Sequence, residues 1–302
     1  MKLDFKIDKN KDTVLINIDN WVQNDSNIIQ KYRMSGRNIP TYITKAIDVY
    51  DVNKSLKGYI RPGDTMLLTR IVADVAQYRG FKGPDGYTKY FSVPLMQVIG
   101  TFKDHKISLD NLNVLFDKVI YKKVELKSEG LLKDIEGVNN VGQVVKVGCC
   151  RFSEDWKPQP LTVKEGDYIL VKDNISTEIV IDGEKYYSIE EGGIAGVFMN
   201  LELLSLDSVK FINGIVIMTP YVPPKMSKTS LLWTPNINYE DLDYSDIYCR
   251  NQFIVNYLDN NLTKIKKGDI VIIDRNVTTY LYFRNKKYFV TNGINYIEGR
   301  RT

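Results

Sequence analysis

An all-β chain of three tandem small barrels is what the sequence predicts, and three observations predict it. Helical periodicity is nearly absent, and the apolar segments alternate or run for four to eight residues rich in Val, Ile, Tyr and Phe, as strands do. One phrase recurs three times: a Gly-Asp pair, a β-rich apolar run, then Lys-Tyr-aromatic. The pairs Gly63-Asp64, Gly166-Asp167 and Gly268-Asp269 lie 103 and 102 residues apart. That period is far too long for a solenoid unit and fits one whole small domain.

Each repeat opens on a strand, at residues 13–18, 113–120 and 211–217. A long polar loop follows, then a second strand at 45–52, 142–147 and 252–258. The Gly-Asp turn comes next with its apolar strand, and a hairpin carrying Lys89-Tyr90-Phe91, Lys185-Tyr186-Tyr187 or Lys287-Tyr288-Phe289 closes the unit. In the turns, Gly63, Gly166 and Gly268 supply a positive φ, and Asp64, Asp167 and Asp269 hydrogen-bond their own turn backbone. The expected domains are 11–103, 107–203 and 207–300, with links near 103–110 and 203–207.

Composition sets outer bounds. The 302 residues are 43% hydrophobic and 26% charged, enough for real cores in a globular chain. The net charge of +4 is spread without a run of five like charges, so no nucleic-acid tail is indicated. No stretch of eighteen apolar residues suggests a membrane helix. Met1-Lys2-Leu3-Asp4-Phe5-Lys6 alternates apolar and charged residues and lacks the apolar core of a signal peptide. Cys149, Cys150 and Cys249 are odd in number with an adjacent pair, which argues for a reducing compartment. Abundant Asn, Lys, Ile, Asp and Tyr point to an AT-rich genome such as a large phage carries.

Catalytic constellations do not survive inspection. His105 is the single histidine, so no His triad or multi-His metal site exists within one chain. Cys149-Cys150 lacks the two-residue gap of a zinc knuckle or redox motif. Lys225-Met226-Ser227-Lys228-Thr229 resembles a synthetase signature without its partner motif. Asp241, Asp243 and Asp246 have calcium-loop spacing without the required Gly and distal Glu. Residues 80–86 read as a hairpin tip, since no Lys-Ser/Thr follows the glycines. No enzyme activity, metal or cofactor is expected. Twenty tyrosines suit interfaces. Basic–aromatic interleaving at 284–288 makes single-stranded nucleic acid a third-ranked partner.

The middle repeat carries a family resemblance. Leu115-Phe116-Asp117-Lys118-Val119-Ile120, Gly142-Gln143-Val144-Val145-Lys146-Val147-Gly148, Pro160-Leu161-Thr162-Val163-Lys164-Glu165-Gly166-Asp167 and, less closely, residues 190–197 resemble the GroES-like co-chaperonin barrel from 113 to 199. Ser128-Glu129-Gly130-Leu131-Leu132 sits where that family carries its mobile loop. The outer repeats resemble it only through the Gly-Asp turn, the hairpin and the loop position, and the third inserts residues 223–250. The resemblance implies loops that bind a partner through paired aliphatics: Ile28 and Ile29, Leu131 and Leu132, and Leu231 and Leu232 with Trp233. Each pair either docks in a partner groove or packs on a barrel.

Two functions follow as expectations. The leading one is a non-enzymatic phage virion component, an auxiliary capsid or head–tail protein that binds a symmetric lattice through its loops, in the virion or the host cytoplasm. The alternative is a co-chaperonin that caps a chaperonin as part of a symmetric oligomer.

Overall fold

The computed structural model describes residues 13–17, 42–50, 59–69, 81–82, 89–124, 140–152, 157–173, 175–199, 205–221, 252–273, 278–284, 286–292 and 297–301. Every regular element there is a strand or a single 3₁₀ turn. None of these residues forms a helix long and apolar enough to cross a membrane.

A first set of strands is β1 (Thr13–Asn17), β2 (Tyr42–Tyr50), β3 (Thr65–Leu68), β4 (Phe81–Lys82), β5 (Lys89–Pro94), β6 (Val98–Phe102) and β7 (Leu112–Val114), ordered β4-β5-β1-β2-β3-β6-β7 in the sheet. A middle set follows: β8 (Lys118–Lys123), β9 (Val141–Val147), the two-residue ribbon β10 (Arg151–Phe152) and β11 (Pro158–Gln159), β12 (Tyr168–Val171), β13 (Thr177–Ile181), β14 (Glu184–Glu190), β15 (Ile194–Phe198) and β16 (Val209–Phe211). It contains the runs β13-β14-β8-β9 and β12-β15-β16. The last set is β17 (Ile215–Pro220), β18 (Gln252–Leu258), β19 (Ile270–Ile273), β20 (Thr279–Phe283), β21 (Lys286–Asn292) and β22 (Ile297–Arg301), ordered β20-β21-β17-β18-β19-β22. The order repeats, but among the described residues no sheet closes on itself, so the closed barrels expected from the sequence are not seen as such.

Register repeats as well. The pairing of opening and second strands slips at Leu15/Ile16, Ile120/Tyr121 and Ile217/Met218. The pairing of β3 with β6, β12 with β15 and β19 with β22 slips at Leu67/Leu68, Leu170/Val171 and Ile272/Ile273. A bulge turns every later side chain to the other face, so equal bulges make equal positions comparable across the sets.

The Gly-Asp turns are superimposable in chemistry. Asp64, Asp167 and Asp269 N–H groups donate to the carbonyls of Arg61, Lys164 and Lys266 at 3.1, 3.2 and 3.1 Å. Each carboxylate accepts in return from the backbone N–H of that same residue, at 2.7, 2.9 and 2.7 Å. The glycine between them has φ of +94°, +87° or +92°, the third position of a type II turn, where a Cβ would be strained.

The structure corrects one strand assignment. The opening runs expected at 113–120 and 211–217 are each two strands. A turn with the Lys118 N–H on the Leu115 carbonyl breaks the first, and one with the Ile215 N–H on the Ile212 carbonyl breaks the second. Phe116, Asn213 and Gly214 take positive φ there. The early halves, β7 and β16, pair with β6 and β15 (Gly100 opposite Val114, Gly196 opposite Phe211). The stretches read as links are therefore hairpin ends, closed by Lys103 N–H to Asn111 O at 2.9 Å and Met199 N–H to Ser208 O at 2.8 Å.

Two compact units divide the chain, one comprising 1–123, 142–167 and 175–193, the other 124–141, 168–174 and 194–302. Within the first, Leu67, Ile99, Phe102, Leu112 and Val114 cluster with Ile120, Ile179, Ile181 and Tyr186. Within the second, Leu170, Ala195, Phe198, Val209 and Phe211 cluster with Ile217, Leu281, Phe283 and Tyr288. By register and bulge the nine positions correspond one to one. Each seam thus buries the face of one strand set against the hairpin and opening strand of the next, at roughly 1.5–3 kcal/mol per large aliphatic or aromatic side chain.

Candidate partner-binding region

The aliphatic pairs singled out in the sequence, Ile28 and Ile29, Leu131 and Leu132, and Leu231 and Leu232 with Trp233, lie outside the described residues, as do Asp241, Asp243, Asp246 and the Lys225–Thr229 motif. What the structure gives is how the chain leaves and re-enters the sheet around the segments that hold them. Segments 18–41, 125–139 and 222–251 all depart after the opening strand and return at the second strand. At the middle one the Val124 N–H donates to the Val141 carbonyl at 3.0 Å. At the last, the Tyr221 N–H donates to the Gln252 carbonyl at 3.0 Å. Each is a backbone rung that pins the loop base.

Asn140 is the second anchor of the middle loop, and the sequence reading missed it. It is buried. Its N–H donates to the Tyr282 carbonyl at 2.9 Å, its carbonyl accepts from Val171 N–H at 2.8 Å, its Oδ1 accepts from Tyr282 N–H at 2.5 Å, and its Nδ2 donates to Asp173 Oδ1 at 3.3 Å. An asparagine can satisfy backbone donors and acceptors together, which no apolar residue could do there. The signal was present as a polar pair, Asn139-Asn140, directly ahead of the apolar β9.

Beside it, Lys172 is buried with its Nζ donating to Asn292 Oδ1 at 2.8 Å. Burial pulls the ammonium down to about 8, because low dielectric disfavours the charged form. The sign follows. Below pH 8 the lysine is charged in folded and unfolded chains alike, and the burial cost is present in full. As pH rises through 8 the folded chain loses its proton first, so this group makes stability rise from pH 8 toward 10. A Lys172→Met chain should lack that rise. Urea unfolding of both proteins between pH 7 and 9.5 checks it, and parallel profiles would refute it.

At the exit side, Lys122 pairs with Glu184 and lies 5.0 Å from the Tyr186 ring centroid, while Lys123 sits 4.4 Å from that of Tyr187. Tyr187 stacks on Tyr121 at 5.5 Å, and the Tyr121 hydroxyl meets Ser176 Oγ at 2.8 Å. These tyrosines brace the sheet where β8 enters the loop. Glu191, buried, accepts from Thr162 N–H and faces Arg151 at 3.5 Å, fixing the segment that leads into the Gly166-Asp167 turn.

The residues weighed for chemistry have structural partners. His105 Nδ1 and Thr65 Oγ1 are 2.9 Å apart. Cys150 Sγ lies 3.8 Å from the Tyr59 hydroxyl and 3.7 Å from Cys149 Sγ. The Cys150 contact, with burial, pushes the Tyr59 phenol up to about 12, and burial likewise pushes the Cys150 thiol up. An elevated thiol is a poor nucleophile at neutral pH.

A family model described as the chaperonin 10 kDa subunit matches residues 111–198. The co-chaperonin GroES of Desulfosudis oleivorans is 35% identical over 88 residues, covering 28% of this chain and 93% of the relative. That of Myxococcus xanthus is 37% identical over 93 residues, with 28% and 92% covered. That of Thermus thermophilus is 36% identical over 88 residues, with 28% and 87% covered. These matches overturn the leading expectation of a phage virion component and favour the alternative: the relatives carry the name co-chaperonin, and nothing ties the chain to a capsid, a tail or a virion.

Proposed function

The chain belongs, through residues 111–198, to the chaperonin 10 kDa (GroES co-chaperonin) family, and from that premise we propose that it is a non-enzymatic co-chaperonin. It binds a chaperonin in the cytoplasm through the segment 125–139. The observation that carries this reading is coverage: the match takes in nearly the whole length of its relatives, a complete domain with its loop position intact.

Around that domain we read the outer strand sets as two further barrels of the same kind, spanning 11–103 and 207–300 on either side of 107–203. The repeated strand order, the equal bulges and the three equivalent Gly-Asp turns support this. Three loops would then leave one chain at equivalent points. Weak contacts linked in one chain act with a raised effective concentration, so modest loops suffice for firm capping.

The key contacts are assigned to Leu131 and Leu132. Burying two leucines is worth roughly 3–6 kcal/mol before the loop's ordering cost is subtracted. Replacing both with serine should weaken binding to a chaperonin ring about a hundredfold, consistent with roughly 3 kcal/mol net, and leave the unfolding midpoint nearly unchanged. Surface-immobilised chaperonin with and without ATP reads the first quantity. Undiminished binding by the double variant would sink the proposal.

A further inference from the structure

Cys149 and Cys150 form the one adjacent thiol pair of the chain. They sit on the bend between β9 and β10, with their Sγ atoms 3.7 Å apart. Cys149 is exposed and Cys150 is buried. From a distant part of the sequence the Tyr59 hydroxyl comes within 3.8 Å of Cys150 Sγ. The pair lacks the spacing of a C-x-x-C redox motif, yet the fold gives it the same division of labour, an outer thiol backed by an inner one.

The bend is held unequally on its two sides. Gly148 N–H donates to the Lys118 carbonyl at 2.8 Å, and Gly148 lies so close to the Phe116 carbonyl that no side chain fits between them. Cys150 N–H donates to that same carbonyl at 3.3 Å, beyond the usual range for such a bond. The backbone is therefore fixed at 148 and can give at 150. Tyr59 and Phe152 flank Phe116, and both pack on the buried cluster that contains Met66, Leu68 and Leu95.

We propose that Cys149 and Cys150 are a reversible thiol switch that closes to a vicinal disulfide when a hydroperoxide reaches it. The Cys149 thiolate attacks one peroxide oxygen and the O–O bond breaks. The other oxygen takes up a proton and leaves as water or an alcohol, and Cys149 becomes a sulfenic acid. The Cys150 sulfur then attacks the Cys149 sulfur. The S–O bond breaks, and the hydroxyl leaves as water with the Cys150 proton. The two sulfurs have given two electrons to the peroxide. Exposure sets the order: the oxidant meets Cys149 first, while burial pushes the Cys150 thiol up, so Cys150 keeps its proton until the second step.

The product is easily reset. Neighbouring Cα atoms stand about 3.8 Å apart, below the roughly 4.4–6.8 Å that disulfides prefer. The ring is strained, and a cellular thiol such as glutathione reopens it. Closing it draws the sulfurs from 3.7 Å to about 2 Å. Cys150 Sγ then leaves the Tyr59 hydroxyl, the long Cys150–Phe116 bond breaks, and the packing around Phe116 loosens. The switch requires neither chaperonin recognition nor the three-barrel reading.

Intact mass after hydrogen peroxide treatment tests it, on the full chain carrying Cys249→Ser so that the pair holds the only thiols. The expected result is a loss of two hydrogens that glutathione restores, with the bond inside one chain. Amide exchange at Cys150 should run about tenfold faster in the oxidised form, as loss of one backbone hydrogen bond implies. Cys150→Ser should stop at a Cys149 sulfenic acid that dimedone traps. Cys149→Ser, a surface change that spares the fold, should give no dimedone adduct at the same dose. No loss of hydrogens, oxidation straight to sulfinic acid, a disulfide between two chains, or an adduct in Cys149→Ser overturns the proposal. Unchanged exchange at Cys150 overturns its coupling to Phe116.

Discussion

Valine in place of Gly148 should cost about 3–5 kcal/mol of unfolding free energy, a large share of the roughly 5–15 kcal/mol that holds an ordinary domain folded. The reason is space rather than backbone conformation. A Cβ at this position would stand 2.0 Å from the Phe116 carbonyl oxygen, 2.8 Å from its carbon and 2.9 Å from the Leu115 carbonyl oxygen. All three are backbone atoms of the turn that ends β7 and starts β8, and none can swing away. Moving that turn would also strain two hydrogen bonds, Gly148 N–H to Lys118 O at 2.8 Å and Cys150 N–H to Phe116 O at 3.3 Å. Phe116 would shift with it, and its ring packs against Tyr59 and Phe152 at 5.5 and 5.9 Å in a buried cluster with Met66, Leu68 and Leu95. Urea denaturation followed by tyrosine and tryptophan fluorescence measures the loss. A change below about 1 kcal/mol would show that the turn yields more easily than close packing allows.

The second large effect is expected at the seams. Gly196→Val should cost about 2–4 kcal/mol, and Gly100→Val a similar amount, because both press a side chain onto the neighbouring strand. The Gly196 Cβ would meet Val209 Cγ1 at 2.4 Å and the Lys210 carbonyl oxygen at 2.8 Å. That of Gly100 would meet the Asn113 oxygen at 2.6 Å and Leu112 Cδ1 at 2.8 Å. Alanine at Gly166 supplies the contrast. Nothing lies within 4 Å of a Cβ there, and the penalty comes only from a φ of +87°, on the order of 1 kcal/mol. Thermal unfolding of the three variants, with hydrogen exchange along β15 and β16, separates them. If valine at Gly196 costs no more than alanine at Gly166, β16 does not sit on β15 as described.

Much of this was legible in the sequence, in proportion to how local the determinant is. The Gly-Asp turns were readable because their geometry is fixed within four residues. So were the hairpins, where Lys-Tyr-aromatic marks the return strand, and the near absence of helix. Breaks inside the opening runs were harder. Asn213-Gly214 is an ordinary turn signal that could have been used. Phe116 with a φ of +54° carries no local signal, since a bulky residue in that conformation is held by its packing against Tyr59 and Phe152. The glycines of the closing strands were passed over because Ile99-Gly100-Thr101, Ala195-Gly196-Val197 and Glu298-Gly299-Arg300 share only the glycine. Their meaning appears once the adjacent strand is in place. Asn140 shows in the sequence only as half of a polar pair ahead of β9, and its role comes from partners at Val171, Asp173 and Tyr282 that are far away in sequence. The virion expectation rests on tandem fusion, loops, twenty tyrosines and a residue bias, features that many functions share and that identify no partner, whereas the matched domain spans nearly the whole length of its relatives.

The break at Phe116 bears on how the chain acquires its structure during synthesis. β7 meets β6 across a short hairpin, a contact that closes quickly, whereas β8 waits for β9 and, further downstream, for β14, since Tyr121 pairs with both Val144 and Tyr187. A completed first sheet therefore offers a ready edge on which the start of the next one is laid down while the rest is still being made. The same relation recurs between β15 and β16. Folding would then run from the N-terminal end toward the C-terminal end, each sheet templating its successor, and a lesion at the first seam should delay everything after it, while the same lesion at the second leaves the earlier sheet to form on time.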